Sequence, residues 1–83
     1  MKLDETTELM NSADYKERFK AEYLQLTIRR NGLKRMLASY ADGTLKFTLN
    51  CTYDLLHTQL VYMDGYIEVL KQRAEIENID LGA

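Results

Sequence analysis

The sequence predicts an all-α protein, an antiparallel two-helix hairpin with a long connector, assembling into a homo-oligomeric helical bundle. Three observations carry this expectation. The chain has no proline, and proline is the strongest helix breaker. Its 46% hydrophobic and 29% charged residues suit amphipathic helices rather than a disordered tail. Apolar residues recur at helical spacing in two long blocks, with a glycine-ended break between them. At 83 residues the chain has room for one small domain, marginal when alone.

Residues 1–11 carry Asp4, Glu5 and Glu8 and read as a flexible or short-helix arm, where Leu3, Leu9 and Met10 supply one turn. Asn11-Ser12 offers an N-cap for a first helix over 13–40, with Asp14 and Glu17 at the positive end of its dipole. In that helix Phe19, Leu26, Leu33 and Tyr40 hold one seam position, and Tyr23, Arg30 and Leu37 hold the other. A thinner ladder runs roughly opposite through Ala21, Leu24, Ile28, Gly32, Met36 and Ser39. A helix that is apolar on two sides needs two partners.

Ala41-Asp42-Gly43 ends the helix, since glycine takes the left-handed conformation of a C-cap. The connector, 41–52, contains the alternating Thr44–Leu49, strand-like but too short for a sheet. Its Leu45, Phe47 and Leu49 are expected to cover the end of the helical core. Asn50 or Thr52 caps a second helix over 53–78, with Asp54 in its first turn. One stripe there is Leu56, Leu60, Met63, Ile67, Leu70 and Ala74; a second, adjoining one is Leu55, Tyr62, Tyr66, Val69 and Ile76. Residues 79–83 read as a fraying tail.

The first helix has seven bases against three acids, net +4, and the stretch from Tyr53 to Asp80 two bases against six acids, net −4. The two attract, although exposed pairs contribute only a few tenths of a kcal/mol each. The hairpin has more apolar circumference than its single contact hides, which predicts self-association into a four-helix bundle or a ring. The competing expectation is a third helix from residues 3–10 covering that face within one chain.

Several function classes are excluded or weakened. One cysteine rules out an internal disulfide or a cysteine-rich metal site. No apolar run reaches the roughly 18 residues of a membrane span, and the acidic start lacks a signal peptide's apolar core, so a soluble, cytosolic protein is expected. No glycine-rich nucleotide motif occurs. His57 reads as a surface histidine and Cys51 as a small half-buried residue, because no base, nucleophile and oxyanion set converges on either. Asp54-Leu55-Leu56-His57 only approximates the Glu-x-x-His of bundle metal sites, in one copy. No enzyme activity, cofactor or metal is therefore expected. Gly32 within the helix pattern reads as a close approach of helices, or else as a gap where a ligand reaches backbone.

The basic cluster Arg29, Arg30, Lys34 and Arg35 is the best functional signal. Arg30 points toward the seam, where its charge needs an acid or a phosphate. Tyr15, Tyr23, Tyr53, Tyr62 and Tyr66 can stack on bases or donate hydroxyls, and arginine with tyrosine is the chemistry of nucleotide capture. Candidate ligand-binding residues are Arg29, Arg30, Lys34, Arg35, Tyr62 and Tyr66. The plainer alternative is an intersubunit salt bridge from Arg30 to Glu68, Glu75 or Glu77. Net charge −2 argues against duplex nucleic acid as a partner.

Tyr15-Lys16-Glu17-Arg18-Phe19-Lys20-Ala21-Glu22-Tyr23, then Leu55-Leu56, Gln59-Leu60, Met63, Tyr66-Ile67, Leu70 and Arg73-Ala74-Glu75-Ile76-Glu77, resembles a family of small phage-encoded helical-hairpin proteins. The family was first noted in crAss-like phages and has members in many phages of Gram-positive hosts. The likeness spans roughly residues 13–80. Relatives often show Cys-Pro where this chain has Cys51-Thr52, which removes a rigid start and leaves the cap. The resemblance implies a non-enzymatic phage accessory protein in the host cytoplasm. Such proteins often counter host defence, and one class they look like sequesters cyclic dinucleotides or ADP-ribose derivatives at subunit seams. The alternative is a protein–protein inhibitor of a host defence or replication enzyme, resembling an anti-CRISPR binder; a structural phage component is a third reading.

Overall fold

The computed structural model describes residues 14–82. It holds two α-helices, α1 (Tyr15–Asp42) and α2 (Tyr53–Glu77), joined by residues 43–52. The longest dimension is 43 Å, which is the length of α1 alone at about 1.5 Å per residue. The helices therefore lie side by side, and the cross-contacts Tyr15–Glu77, Glu22–Tyr66 and Arg30–Asp64 show them antiparallel. The expected arm over 1–11, the Asn11-Ser12 cap and the possible third helix fall outside the described residues.

Local chemistry sets the helix ends. The cap of α1 is Asp14, two residues beyond the expected Ser12: its carboxylate accepts from the Lys16 amide at 2.8 Å and its carbonyl from Arg18 at 3.1 Å. Aspartate caps as well as serine and adds negative charge at the dipole's positive end. At the other end Gly43 takes φ 76°, with its N–H on the Tyr40 carbonyl and that of Thr44 on Ser39. That pair of bonds is a Schellman motif. α2 starts on Thr52, whose hydroxyl accepts from Leu55 at 3.2 Å.

The alternation of Thr44–Leu49 does not become a strand, because no second strand lies beside it among the described residues. Leu45 and Leu49 are half-buried, but Phe47 is 60% exposed. Phe47 thus lines a shallow groove with Met36 and Leu56 rather than closing the core.

Residues 79–82 are not a fraying tail. Asn78 adopts the left-handed conformation (φ 56°) and ends α2 in a second Schellman motif, with the Ile79 N–H on the Ala74 carbonyl at 2.8 Å. The accompanying hydrophobic contact turns Ile79 inward beside Phe19, Leu70 and Ala74, with Tyr23, Leu26 and Leu81 packed against them. The main core therefore sits at the open end of the hairpin. Polar ties surround it. Arg73 lies 4.9 Å over the Phe19 ring and donates to the Tyr15 hydroxyl, which donates in turn to Glu77 at 2.9 Å. At the connector end Tyr40 stacks on Tyr53 (5.4 Å) and Tyr53 on His57 (6.1 Å). No helix among the described residues is long and apolar enough to cross a membrane.

Leu70 is fully buried, so Leu70→Ala is expected to cost about 2–5 kcal/mol in urea unfolding. Ile79→Ala is expected to cost at least about 1 kcal/mol, whereas a frayed residue would change stability by less than about 0.5 kcal/mol.

Candidate functional site

The six candidate ligand-binding residues are distributed over three sides of the hairpin. Tyr62 and Tyr66 lie on α2 in a groove of about 460 Å³, completed by Leu55, Thr58, Gln59 and Met63. Positions 55, 59, 62 and 66 follow helical spacing on one flank of the α2 contact stripe, so local periodicity alone brings them together. Tyr62 is 74% exposed and presents its ring to solvent. Tyr66 is anchored, because its hydroxyl donates to the Glu22 carboxylate on α1. That bond holds the phenol above its ordinary pKa, with partial burial acting in the same direction and Arg73 opposing it.

Arg29 lies seven residues after Glu22 and so shares its face of α1. Since Glu22 meets Tyr66, the antiparallel register sets Arg29 toward Gln59, on the same flank as the tyrosine groove but not among its lining residues. Arg29 is exposed and forms no hydrogen bond or ion pair among the described residues.

Arg30 occupies the other flank. It faces Asp64 across the seam, with Nε at 2.6 Å from Oδ1 and Nη2 at 3.4 Å from Oδ2, a two-point contact. Of the two outcomes open for this arginine, an acid is its partner here. That acid is Asp64 of the same chain, not Glu68, Glu75 or Glu77 of a neighbour. The hydrogen bond from Arg30 pulls the Asp64 carboxyl below its ordinary pKa, and Lys34 adds to the effect; the same bond raises Arg30. Around the pair is a polar groove of about 380 Å³ containing Tyr23, Thr27, Asn31, Glu68 and Lys71. Lys34, four residues after Arg30, is exposed on that side. Arg35 lines a third groove of about 300 Å³ on α1 with Leu24, Thr27, Ile28 and Asn31.

The remaining candidates resolve individually. Cys51 is exposed rather than half-buried: it precedes the α2 cap and lines the open groove with Met36, Phe47 and Leu56. His57 is exposed and stacked on Tyr53. A Cβ at Gly32 would meet only the end of Arg35, at 3.9 Å, so no close helix approach explains that glycine. Among the described residues no three His, Cys, Asp or Glu side chains gather where a metal ion could be held.

Sequence periodicity had not selected Gln59, Thr58 or Asp64 as site residues. The signal for Asp64 was its position on the flank of α2 that the antiparallel register sets against Arg30.

These features define a small helical hairpin whose ligand-sized depressions lie on its outer flanks, not in an enclosed active-site cleft. Residues 13–76 match the family model described as Sequestin. The chain belongs to the Sequestin family, whose name is consistent with a sequestering role. No curated protein and no solved structure matches it.

Two predictions follow the charge geometry. A lowered carboxyl pKa stabilises the fold above the unfolded aspartate value of about 3.9 and loses that contribution as pH falls through the folded value. Asp64→Asn is therefore expected to melt below the parent protein at pH 7, with the two Tm curves converging in acid; coincident curves at pH 7 would show that the pair contributes nothing. Tyr66 has the opposite sign: its bond to Glu22 stabilises below the free phenol value of about 10 and is lost as pH rises through the folded value. In a spectrophotometric titration Glu22→Gln is expected to bring one of the six tyrosines to lower pH.

Proposed function

We propose that this chain is a non-enzymatic phage accessory protein that binds and sequesters a host immune signalling nucleotide, of the cyclic or ADP-ribose type, as a homo-oligomer in the host cytoplasm. The observation that carries the reading is the tyrosine groove. Its volume of about 460 Å³ lies within the range of small-molecule sites, about 300–1,000 Å³. Tyr62 offers an open ring face, Tyr66 is held in place by Glu22, and Arg29 stands on the same flank for a phosphate. Stacking on a tyrosine is worth about 1–3 kcal/mol per base, and an arginine can hold a phosphate by two parallel hydrogen bonds. Membership of the Sequestin family supports capture rather than turnover.

Arg30, Lys34 and Arg35 enter this reading as secondary contacts. Arg30 reaches a phosphate only by giving up its two bonds to Asp64, and Lys34 and Arg35 act through their charge.

The test is calorimetry of the full chain against cyclic dinucleotides, ADP-ribose and cyclic ADP-ribose, with chromatography to show that the nucleotide is recovered unchanged. Binding by at least one is expected. Tyr62→Ala and Arg29→Ala should each weaken it about tenfold or more, equivalent to about 1.4 kcal/mol. No binding at high micromolar concentration, together with a stoichiometric host protein captured from lysate, would reassign the chain as an inhibitor of a host enzyme.

A further inference from the structure

The structure leaves a regular apolar stripe on α2 without a partner among the described residues. Leu55, Tyr62, Val69 and Ile76 stand seven residues apart and are 60%, 74%, 53% and 80% exposed. Scattered surface hydrophobics are ordinary, but an unbroken seven-residue period along a helix is the pattern that a second helix requires. The stripe spans 22 residues, about 32 Å at 1.5 Å rise per residue.

A second feature falls at its midpoint. Gly65 is in the helix interior, where glycine is less favourable than alanine. A Cβ built there meets nothing within 4 Å, so no contact among the described residues excludes a side chain. Gly65 lies on the stripe, three residues after Tyr62 and four before Val69, nearly midway between Leu55 and Ile76. The third feature is charge. Asp64, Glu68, Lys71 and Glu75 fall on the flank that faces Arg30, while Arg73, which lies on the stripe four residues after Val69 and three before Ile76, has its guanidinium turned back onto the Phe19 ring, the Tyr15 hydroxyl and Glu77 of its own chain. An evenly spaced apolar stripe is complementary to its own reverse: laid antiparallel, Leu55 meets Ile76 and Tyr62 meets Val69, which centres the pairing between positions 65 and 66 and leaves the two Gly65 residues one step apart across the centre.

We propose that this stripe is an isologous interface, in which α2 of two copies of the chain pack antiparallel across a two-fold axis beside Gly65. The tyrosine groove then lies beside that axis, and its open side is closed by the partner subunit's Tyr62 and Tyr66. The glycine gives the two backbones room to approach where those tyrosines crowd the seam. The interface stands on the stripe alone; the shared groove also rests on the nucleotide-binding reading above.

The test uses the full chain without nucleotide and then with it. Light scattering is expected to give at least twice the 9.7 kDa chain mass. Val69→Lys adds charge at a position already 53% exposed, so it should keep the helical circular dichroism and yield a monomer. With Cys51 replaced by serine, Gly65→Cys should form an intermolecular disulfide in oxidised glutathione, because only positions near a two-fold axis bring like Cα atoms within the roughly 4.4–6.8 Å a disulfide spans. Glu68→Cys in the same background, on the opposite flank, should not. A monomeric parent chain overturns the proposal. So does an oligomer indifferent to Val69→Lys that gives no cross-link at position 65, the mark of head-to-tail contact. Where a nucleotide binds, monomeric Val69→Lys should bind at least tenfold more weakly; equal binding overturns the shared groove and leaves the proposed function standing. A cross-linking dimer with no affinity for any nucleotide supports the interface and overturns the proposed function.

Discussion

Two helices laid side by side share one line of contact, and the character of this protein follows from how little that line hides. The main buried cluster is Phe19, Leu70, Ala74 and Ile79, gathered at the open end. Burying a large apolar side chain yields about 1.5–3 kcal/mol, while ordering each backbone residue costs about 1–2 kcal/mol. A cluster of that size holds one end of the hairpin. It does not by itself account for helices of 28 and 25 residues. The apolar surface left on the flanks is thus energetically as important as the surface that is buried.

The polar ties across the seam do less for total stability than for alignment. Exposed pairs of this kind add little to the free energy of folding, but they discriminate between registers. Sliding α2 by seven residues would set Arg30 against Lys71 or His57 instead of Asp64. The Tyr66–Glu22 bond lies on one flank and the Arg30–Asp64 pair on the other. Held on both sides, α2 cannot roll its second stripe into the contact. The outward exposure of Leu55, Tyr62, Val69 and Ile76 is in this sense fixed by charges that sit elsewhere.

Much of this was legible in the residue order. Gly43 and Thr52 marked the ends of the connector because left-handed backbone and hydroxyl capping are local demands, and the two stripes of α2 followed from helical spacing. What local pattern did not carry was pairing. Arg30 was expected to find an acid or a phosphate, yet Asp64, Glu68 and Glu75 look alike on a helical wheel, and only the antiparallel register selects Asp64. Ile79 was misplaced for a related reason. Its burial depends on Asn78 turning left-handed, which asparagine does readily but a sequence pattern does not require. The candidate residues fared likewise: Tyr62 and Tyr66 share one helix face and so share a groove, while Arg29 and Arg30, adjacent in sequence, are sent to opposite flanks by the 100° turn between neighbours.

That separation limits what a single chain can do as a receptor. Two helices side by side form furrows and no enclosure, so a small molecule lying on either flank keeps one side in water. On the tyrosine flank Arg29 is the cation of the basic cluster available to phosphate; Arg30 is neutralised by Asp64 on the far side. A ligand with several phosphates needs more positive charge than that flank supplies, and a stacked base needs a second wall to be shielded. Extending one helix adds neither, because each further turn repeats the same open furrow. A second surface across the tyrosines would supply both the missing wall and further charge. The stripe that could bring one there is the apolar surface that the hairpin's own contact leaves uncovered.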